Sequence, residues 1–215
     1  MEVDRLIIKE LAVGPIMANC FILGCEEQKE AAVIDPGDET DRILDSLLES
    51  KLIAKTIVNT HGHFDHVGGN RRLKEATGAD ILIHPLDVPM LSKLSASAAA
   101  WGLSAEDSPE PDRTIEEDDT IVIGTITLKV IHTPGHTQGG ISLYTDGVLF
   151  VGDTLFAGSI GRTDFPGGDY DTLIDSIQKK LFPLGDDVRV LSGHGPETTI
   201  GREKHKRNNP FVGVQ

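Results

Sequence analysis

Thr60–Gly69 reads THGHFDHVGG and places His61, His63, Asp65 and His66 within six residues. The stretch before it, Thr56 to Asn59, is apolar and β-branched and predicts a strand. The stretch after it, Asn70 to Thr77, predicts a helix ending at Gly78, a suitable residue to follow a helix C-terminus. The cluster therefore sits on a loop that leaves a strand, where consecutive side chains can diverge around a point. His61 and His63, two apart, can converge on one ion, and the adjacent Asp65 and His66 can serve a second. Imidazole and carboxylate donors suit zinc, iron or manganese, and no thiolate is present to force zinc.

Further along the chain, three segments each place one more donor just past a predicted strand. HTPGHT presents His136 after Thr127 to Ile131, VGDTLF presents Asp153 after Val148 to Val151, and SGHG presents His194 after Val188 to Leu191. Glycine flanks each donor and lets the backbone approach a site closely, as a rigid ligand loop requires. Taken singly, Asp153 and His194 read equally well as turn residues. Their joint occurrence with HGHFDH gives the metal reading its weight.

The rest of the periodicity frames these loops. Strands are predicted at Leu6 to Val13, Cys20 to Leu23, Ala31 to Ile34, Ile81 to Ile83, Thr120 to Ile123 and Ile141 to Tyr144. Helices are predicted at Thr40 to Lys51, with Ile43, Leu47 and Leu48 on one face, and at Tyr170 to Leu181. Strands, helices and strands again in each half imply an α/β fold, an αββα sandwich of two sheets covered outside by helices. Leu94 to Glu117 lacks periodicity and reads as a surface excursion that roofs the site, with Trp101 as its anchor. Cys20 and Cys25 are an odd number apart on a strand, so they point to opposite faces and read as small core residues.

The 215 residues, 39% hydrophobic, suit a single domain over residues 1–215. No apolar run approaches the ~20 residues of a membrane span, and MEVDRLIIKEL lacks the start of a signal peptide, so a cytoplasmic protein with no membrane partner is expected. A formal charge of −14 repels a phosphate backbone and argues against nucleic acid as a partner. Oligomeric state is not legible.

The ordered set THGHFDH, TPGHT, GDTLF and GHG resembles the metallo-β-lactamase superfamily, and within it the glyoxalase II (hydroxyacylglutathione hydrolase) branch. The resemblance implies the metallo-β-lactamase version of the sandwich and two divalent transition metals, zinc first, with iron or manganese compatible. It implies one metal on His61, His63 and His136, a second on Asp65, His66 and His194, and Asp153 bridging both. Asp35, in VIDPGD, would support a metal-bound histidine from behind. GDTLFAGSIGRTDFPGGD and GHGPETTIGREKHKRNNPF further resemble a short subgroup without the separate C-terminal helical domain.

The implied reaction is hydrolysis of a glutathione thioester such as S-lactoylglutathione by a metal-bridging hydroxide, with Asp65 and Asp153 as the catalytic carboxylates. Arg162 is the candidate for binding a glutathione carboxylate, with a structural salt bridge as the competing role, and His84 is a candidate for lining the entrance. The basic run Arg202, Lys204, Lys206 and Arg207 is a candidate attractor of anionic substrate, His132 reads as structural and His205 as solvent-facing. The alternative is a mononuclear iron persulfide dioxygenase, which shares the HxHxDH loop and a segment like Gly161 to Phe165 and needs metal only at His61, His136 and Asp153. The GHGP of this chain favours the hydrolase. A β-lactamase is disfavoured because the best-known di-zinc classes place a cysteine near Asp153 and lack the histidine at His66.

Overall fold

The computed structural model describes residues 6–213. The opening MEVDR, part of the stretch read above as lacking a leader, lies outside them. Six strands form the first sheet in sequence order: β1 (Leu6–Val13), β2 (Ala18–Cys25), β3 (Glu30–Ile34), β4 (Ile53–Val58), β5 (Asp80–Ile83) and β6 (Arg113–Thr114). β2 pairs antiparallel with β1 and with β3; β3, β4, β5 and β6 are parallel neighbours joined by crossovers. The second half adds β7 (Thr120–Ile123), β8 (Ile126–His132), β9 (Ile141–Thr145) and β10 (Val148–Gly152), a small hairpin of β11 (Leu155–Phe156) and β12 (Ser159–Ile160), then β13 (Arg189–Ser192) and β14 (Thr198–Thr199). Its sheet has the order β14-β13-β10-β9-β8-β7, with β10 and β13 parallel and the other pairs antiparallel.

Alternation along the strands builds three apolar layers. Phe21, Leu23 and Ile34 face Val130, Leu143 and Phe150 in the layer between the sheets. The rings of Phe21 and Phe150 meet edge to face at 5.3 Å across it. Removing Phe150, which is fully buried, would cost about 3–5 kcal/mol. On the outer face of the first sheet, Ile22, Val33 and Ile57 pack on Ile43 and Leu47 of α1 (Thr40–Glu49). Leu73, on a later helix of the same half, joins that layer. On the outer face of the second sheet, Leu149 and Val190 meet Leu173, Ile177 and Leu181. The order helix, sheet, sheet, helix is the expected sandwich. Cys20 lies in the outer layer and Cys25 in the inner one, on opposite faces of β2 as their spacing requires. Leu48 departs from expectation: it is 77% exposed, because the buried stripe of α1 runs through Ile43 and Leu47 and leaves position 48 on the solvent side.

Two short helices follow β4: α2 (Phe64–Val67) and α3 (Asn70–Thr77). The excursion expected to be irregular is preceded by α4 (Val88–Leu91), contains α5 (Leu94–Ala99) and returns to the sheet through β6. α6 (Tyr170–Asp175) is capped by Asp169, whose carboxylate accepts the Thr172 N–H at 2.8 Å, and continues as a π-helical turn over Ser176–Leu181. The basic run holds only a short α7 (Ile200–Glu203), with His205 exposed beyond it. Among the described residues no helix is long and apolar enough to cross a membrane.

Candidate metal centre

Every donor singled out in the sequence lies just beyond the end of a strand, and four strands point their ends at one place. β4 ends at Val58 and leads to His61, β8 ends at His132 and leads to His136, β10 ends at Gly152 next to Asp153, and β13 ends at Ser192 before His194. His63 is extended and stands at the N-cap of α2, so Asp65 and His66 fall on its first turn. Neighbours on a helix diverge by about 100°, which separates the adjacent Asp65 and His66.

The donor atoms fall into two sets. His61, His63 and His136 bring one ring nitrogen each within 4.8 Å of one another, and Asp65, His66 and His194 do the same with one carboxylate oxygen and two ring nitrogens. His136 Nε2 faces His63 Nδ1 at 3.0 Å, and His66 Nε2 faces His194 Nε2 at 3.3 Å. Asp153 lies between the sets: its Oδ2 is 3.6 Å from His136 Nε2 and 3.7 Å from His194 Nε2, and its Oδ1 is 3.4 Å from His66 Nε2.

The far side of the rings is held by the protein. His66 Nδ1 meets Asp35 Oδ2 at 3.1 Å, and Asp35 also accepts the Thr60 N–H at 2.7 Å and the Thr60 hydroxyl at 2.6 Å. The Thr60 hydroxyl lies 3.1 Å from His61 Nδ1. His136 Nδ1 donates to the Arg162 carbonyl at 2.6 Å. Each contact engages Nδ1 and leaves Nε2 turned inward, the usual way of orienting a metal-bound imidazole. Asp35 thus takes the supporting position expected of it.

Charge follows the same division. Burial is the largest influence on His61 and His63 and lowers both pKa values, that of His63 to about 4, with neighbouring histidines adding to the effect. Burial also opposes the charged forms of His66 and Asp65, but the attraction between them and their neighbours wins. Asp153, Asp65 and Asp35 raise His66 to about 10, and His66 with His194 holds Asp65 below the usual carboxylate range. His61 and His63, kept neutral, offer lone pairs to a cation directly, whereas His66 must release a proton as a cation binds beside Asp65 and Asp153.

Two of these buried atoms, His61 Nε2 and Asp153 Oδ1, have no hydrogen-bond partner. A buried polar atom left alone costs about 1–3 kcal/mol. Both belong to this cluster, and cations held by the two sets would satisfy both. The residues fit two metals, and their N/O chemistry accepts zinc, iron or manganese alike.

A cavity of about 590 Å³ opens in front of His63, Asp65, His136, Asp153 and His194. Met90, Leu94 and Trp101 wall it, so the excursion does roof the site. Trp101 does not anchor the excursion: it is 55% exposed and faces the cavity. Arg162 lines the cavity, and its guanidinium pairs with Asp164, the salt-bridge role foreseen as the competing one. His84 requires correction. It is outside the cavity lining, buried, and stacked on His132 with ring centroids 4.2 Å apart, because its Nδ1 accepts the Leu86 N–H in capping the turn Pro85–Asp87. The basic run also lies outside the lining, and Lys204 is paired with Asp186.

Two supporting residues were missed. Asn19 on β2 clamps the His194 loop: its side chain donates to the Ser192 and Gly195 carbonyls at 3.0 and 2.9 Å, and its N–H donates to the Gly193 carbonyl at 2.7 Å. A lone amide in the apolar run ANCFIL was a usable signal. Asp87 accepts from Gly62, Thr137 and Gly139, and nothing in HPLDVP announces it.

The chain is similar to known proteins along most of its length. The model of the metallo-beta-lactamase superfamily matches residues 13–194. Hydroxyacylglutathione hydrolase GloC of Haemophilus influenzae is 41% identical over 95% of this chain and 97% of its own. Among solved structures, the BLEG-1 B3 metallo-beta-lactamase superposes with a TM-score of 0.88 at 37% identity, covering 96% of this chain and 99% of its own. TTHA1623 in a di-iron-bound form gives 0.86 at 39%, covering 94% and 99%. ETHE1 from Myxococcus xanthus gives 0.80 at 28%, covering 97% and 86%. The ligand loops, the two sheets that carry them and these relatives together establish that the chain belongs to the metallo-beta-lactamase superfamily.

Proposed function

We propose that the protein is a metal-dependent thioester hydrolase acting on glutathione conjugates such as S-lactoylglutathione, with two divalent transition metals. Zinc is the metal we expect, and the same donors accept iron or manganese. The observation that carries the reading is the presence of both donor sets with Asp153 between them, supported by the 41% identity to a hydroxyacylglutathione hydrolase.

His61, His63 and His136 would hold one metal and Asp65, His66 and His194 the other, with Asp153, which lies between the sets, contributing its carboxylate. The metals would supply Lewis acidity and a water whose pKa falls toward ~7. Asp65, held ionised by His66 and His194, accepts a hydrogen bond from the attacking water and orients it toward the substrate carbonyl. Apolar side chains on the cavity wall lower the local dielectric and strengthen charge interactions beside them. The thiolate of the product is a good leaving group, so this reaction asks for no separate general acid.

The test is the initial rate of S-lactoylglutathione hydrolysis by protein of known metal content, with Asp153→Ala alongside. The expected result is a rate proportional to metal and lost in the variant. No rate in fully metallated protein would overturn the proposal. Persulfide-dependent oxygen uptake with one iron would then favour the dioxygenase reading, which the ETHE1 neighbour keeps in view. Hydrolysis of a β-lactam would favour the activity described for the BLEG-1 neighbour.

A further inference from the structure

One wall of the cavity has a chemistry of its own. Met90 on α4, Leu94 and Ser97 on α5 and Trp101 just past it recur at intervals of four, three and four, and all four line the cavity. Phe165, from the loop after β12, completes the wall: its ring centroid is 5.6 Å from that of His63 and 6.3 Å from that of Trp101. An aromatic surface therefore runs from a metal-set histidine outward to an indole that is half uncovered. Large apolar rings exposed in a cleft mark ligand contact.

Two cations border this surface. The Arg162 guanidinium is engaged twice: Nε and Nη2 donate to Asp164 at 2.9 and 2.7 Å, and Cζ lies 4.1 Å above the Phe165 ring. The Lys93 side chain has no hydrogen-bond or ion-pair partner among the described residues and is exposed at the start of α5. In a chain with a formal charge of −14, an unpaired ammonium on the lining of an apolar cleft is a local attractor for an anion.

We propose that Met90, Trp101 and Phe165, backed by the buried Leu94, form a subsite for an apolar acyl group, aryl or branched alkyl, and that Lys93 pairs with a carboxylate of the thiol portion of the same thioester. The proposal rests on the thioester reading and narrows it to anionic thioesters with apolar acyl groups, of which the small, polar lactoyl group is a poor example. Lys93 takes the anion-binding part that the sequence suggested for Arg162.

The chain has one tryptophan, so indole emission reports on Trp101 alone. The probes are S-methylglutathione and S-benzylglutathione, thioethers that cannot be hydrolysed, titrated into metal-loaded protein. S-benzylglutathione is expected to perturb the emission and to bind at least about tenfold more tightly, as burial of a phenyl ring predicts. By calorimetry, Trp101→Ala should bring the two affinities within about twofold of each other. Lys93→Met should weaken both about three- to fivefold at low salt, and should leave the corresponding glutathione diesters unchanged. Equal affinities for the two thioethers, or a Lys93→Met variant that binds the free acids like wild type, would overturn the proposal. Binding of the expected pattern in a protein that hydrolyses no thioester would keep the subsite and remove the hydrolase. Hydrolysis of S-lactoylglutathione without a benzyl preference would do the reverse.

Discussion

Asp87 and Thr137 stand 50 residues apart in the chain and are joined by a hydrogen bond of 2.7 Å from the Thr137 hydroxyl to Asp87 Oδ2. The same carboxylate accepts the Gly62 N–H at 3.0 Å and the Gly139 N–H at 2.7 Å, and the residue is only 1% exposed. Asp87 thereby ties the loop of His61 and His63 to the loop of His136, which together make up one donor set. Asp87→Ala would leave three buried donors without an acceptor. A destabilisation of about 2–4 kcal/mol is expected, with metal content falling in parallel. Thr137→Val, which removes one donor and keeps the shape, should cost about 1 kcal/mol. Thermal unfolding with metal analysis of the same samples measures both, and an Asp87→Ala protein with wild-type Tm and full metal would contradict the tie.

Gly193 makes a different demand, for space. A Cβ there would lie 2.3 Å from Asp153 Oδ1 and 2.6 Å from His66 Cε1, and neither group can retreat without leaving the site. Gly193→Ala should fold at a cost of about 1–3 kcal/mol, as overpacking does, and should lose metal because Asp153 is displaced from between the two sets. Metal stoichiometry after dialysis, with circular dichroism to confirm the fold, gives the answer. Full occupancy in this variant would mean that Asp153 does not need its present position.

Why the donors were legible while their supports were not follows from what each must do. His61, His63, Asp65 and His66 advertise themselves because a strand-end loop has no packing use for so many titratable groups. Glycine marks the approaches to Asp153 and His194 because of such contacts as that at Gly193. The fold was legible because burial on both faces writes continuous apolar runs such as β2, and because Ile43 and Leu47 keep helical spacing. Asp87 left no trace, since one carboxylate among surface-like residues becomes a support only when the chain brings Gly62, Thr137 and Gly139 around it. The lid was misread for a related reason. Met90, Leu94, Ser97 and Trp101 keep a helical stripe, but a break at Ser92 and Lys93 divides it between two short helices, and a reading that begins at Leu94 loses the period.

Separate donor sets predict separable metals. His194→Ala removes one of the three donors of the second set and leaves His61, His63, His136 and Asp153 in place. The variant is expected to retain about one equivalent of metal where the wild type holds two, since three protein ligands and an open position suffice for one ion. Asp153→Ala should lower the occupancy of both. Two equivalents retained after His194→Ala would take that histidine out of the ligand set.

The stacked pair of His84 and His132 predicts a dependence of stability on pH. Burial, and next the neighbouring imidazole of His132, lowers the His84 pKa to about 4, whereas an unfolded histidine titrates near ~6.5. Above that value neither state is protonated at this group and it contributes nothing to the pH slope. As pH falls from about 6.5 toward 4, the unfolded chain takes up a proton that the folded chain refuses, so stability is lost by at most about 1.4 kcal/mol per pH unit. His84→Asn can still accept the Leu86 N–H in capping the turn but has no such proton to refuse. Other histidines titrate in the same window, so the measured quantity is the difference between wild type and variant. At pH 7 His84→Asn should be the less stable protein, having lost the stack, and the gap should narrow steadily toward pH 4.5 in denaturant unfolding. A gap that stays constant across that range would show that His84 keeps an ordinary affinity for protons in the folded protein.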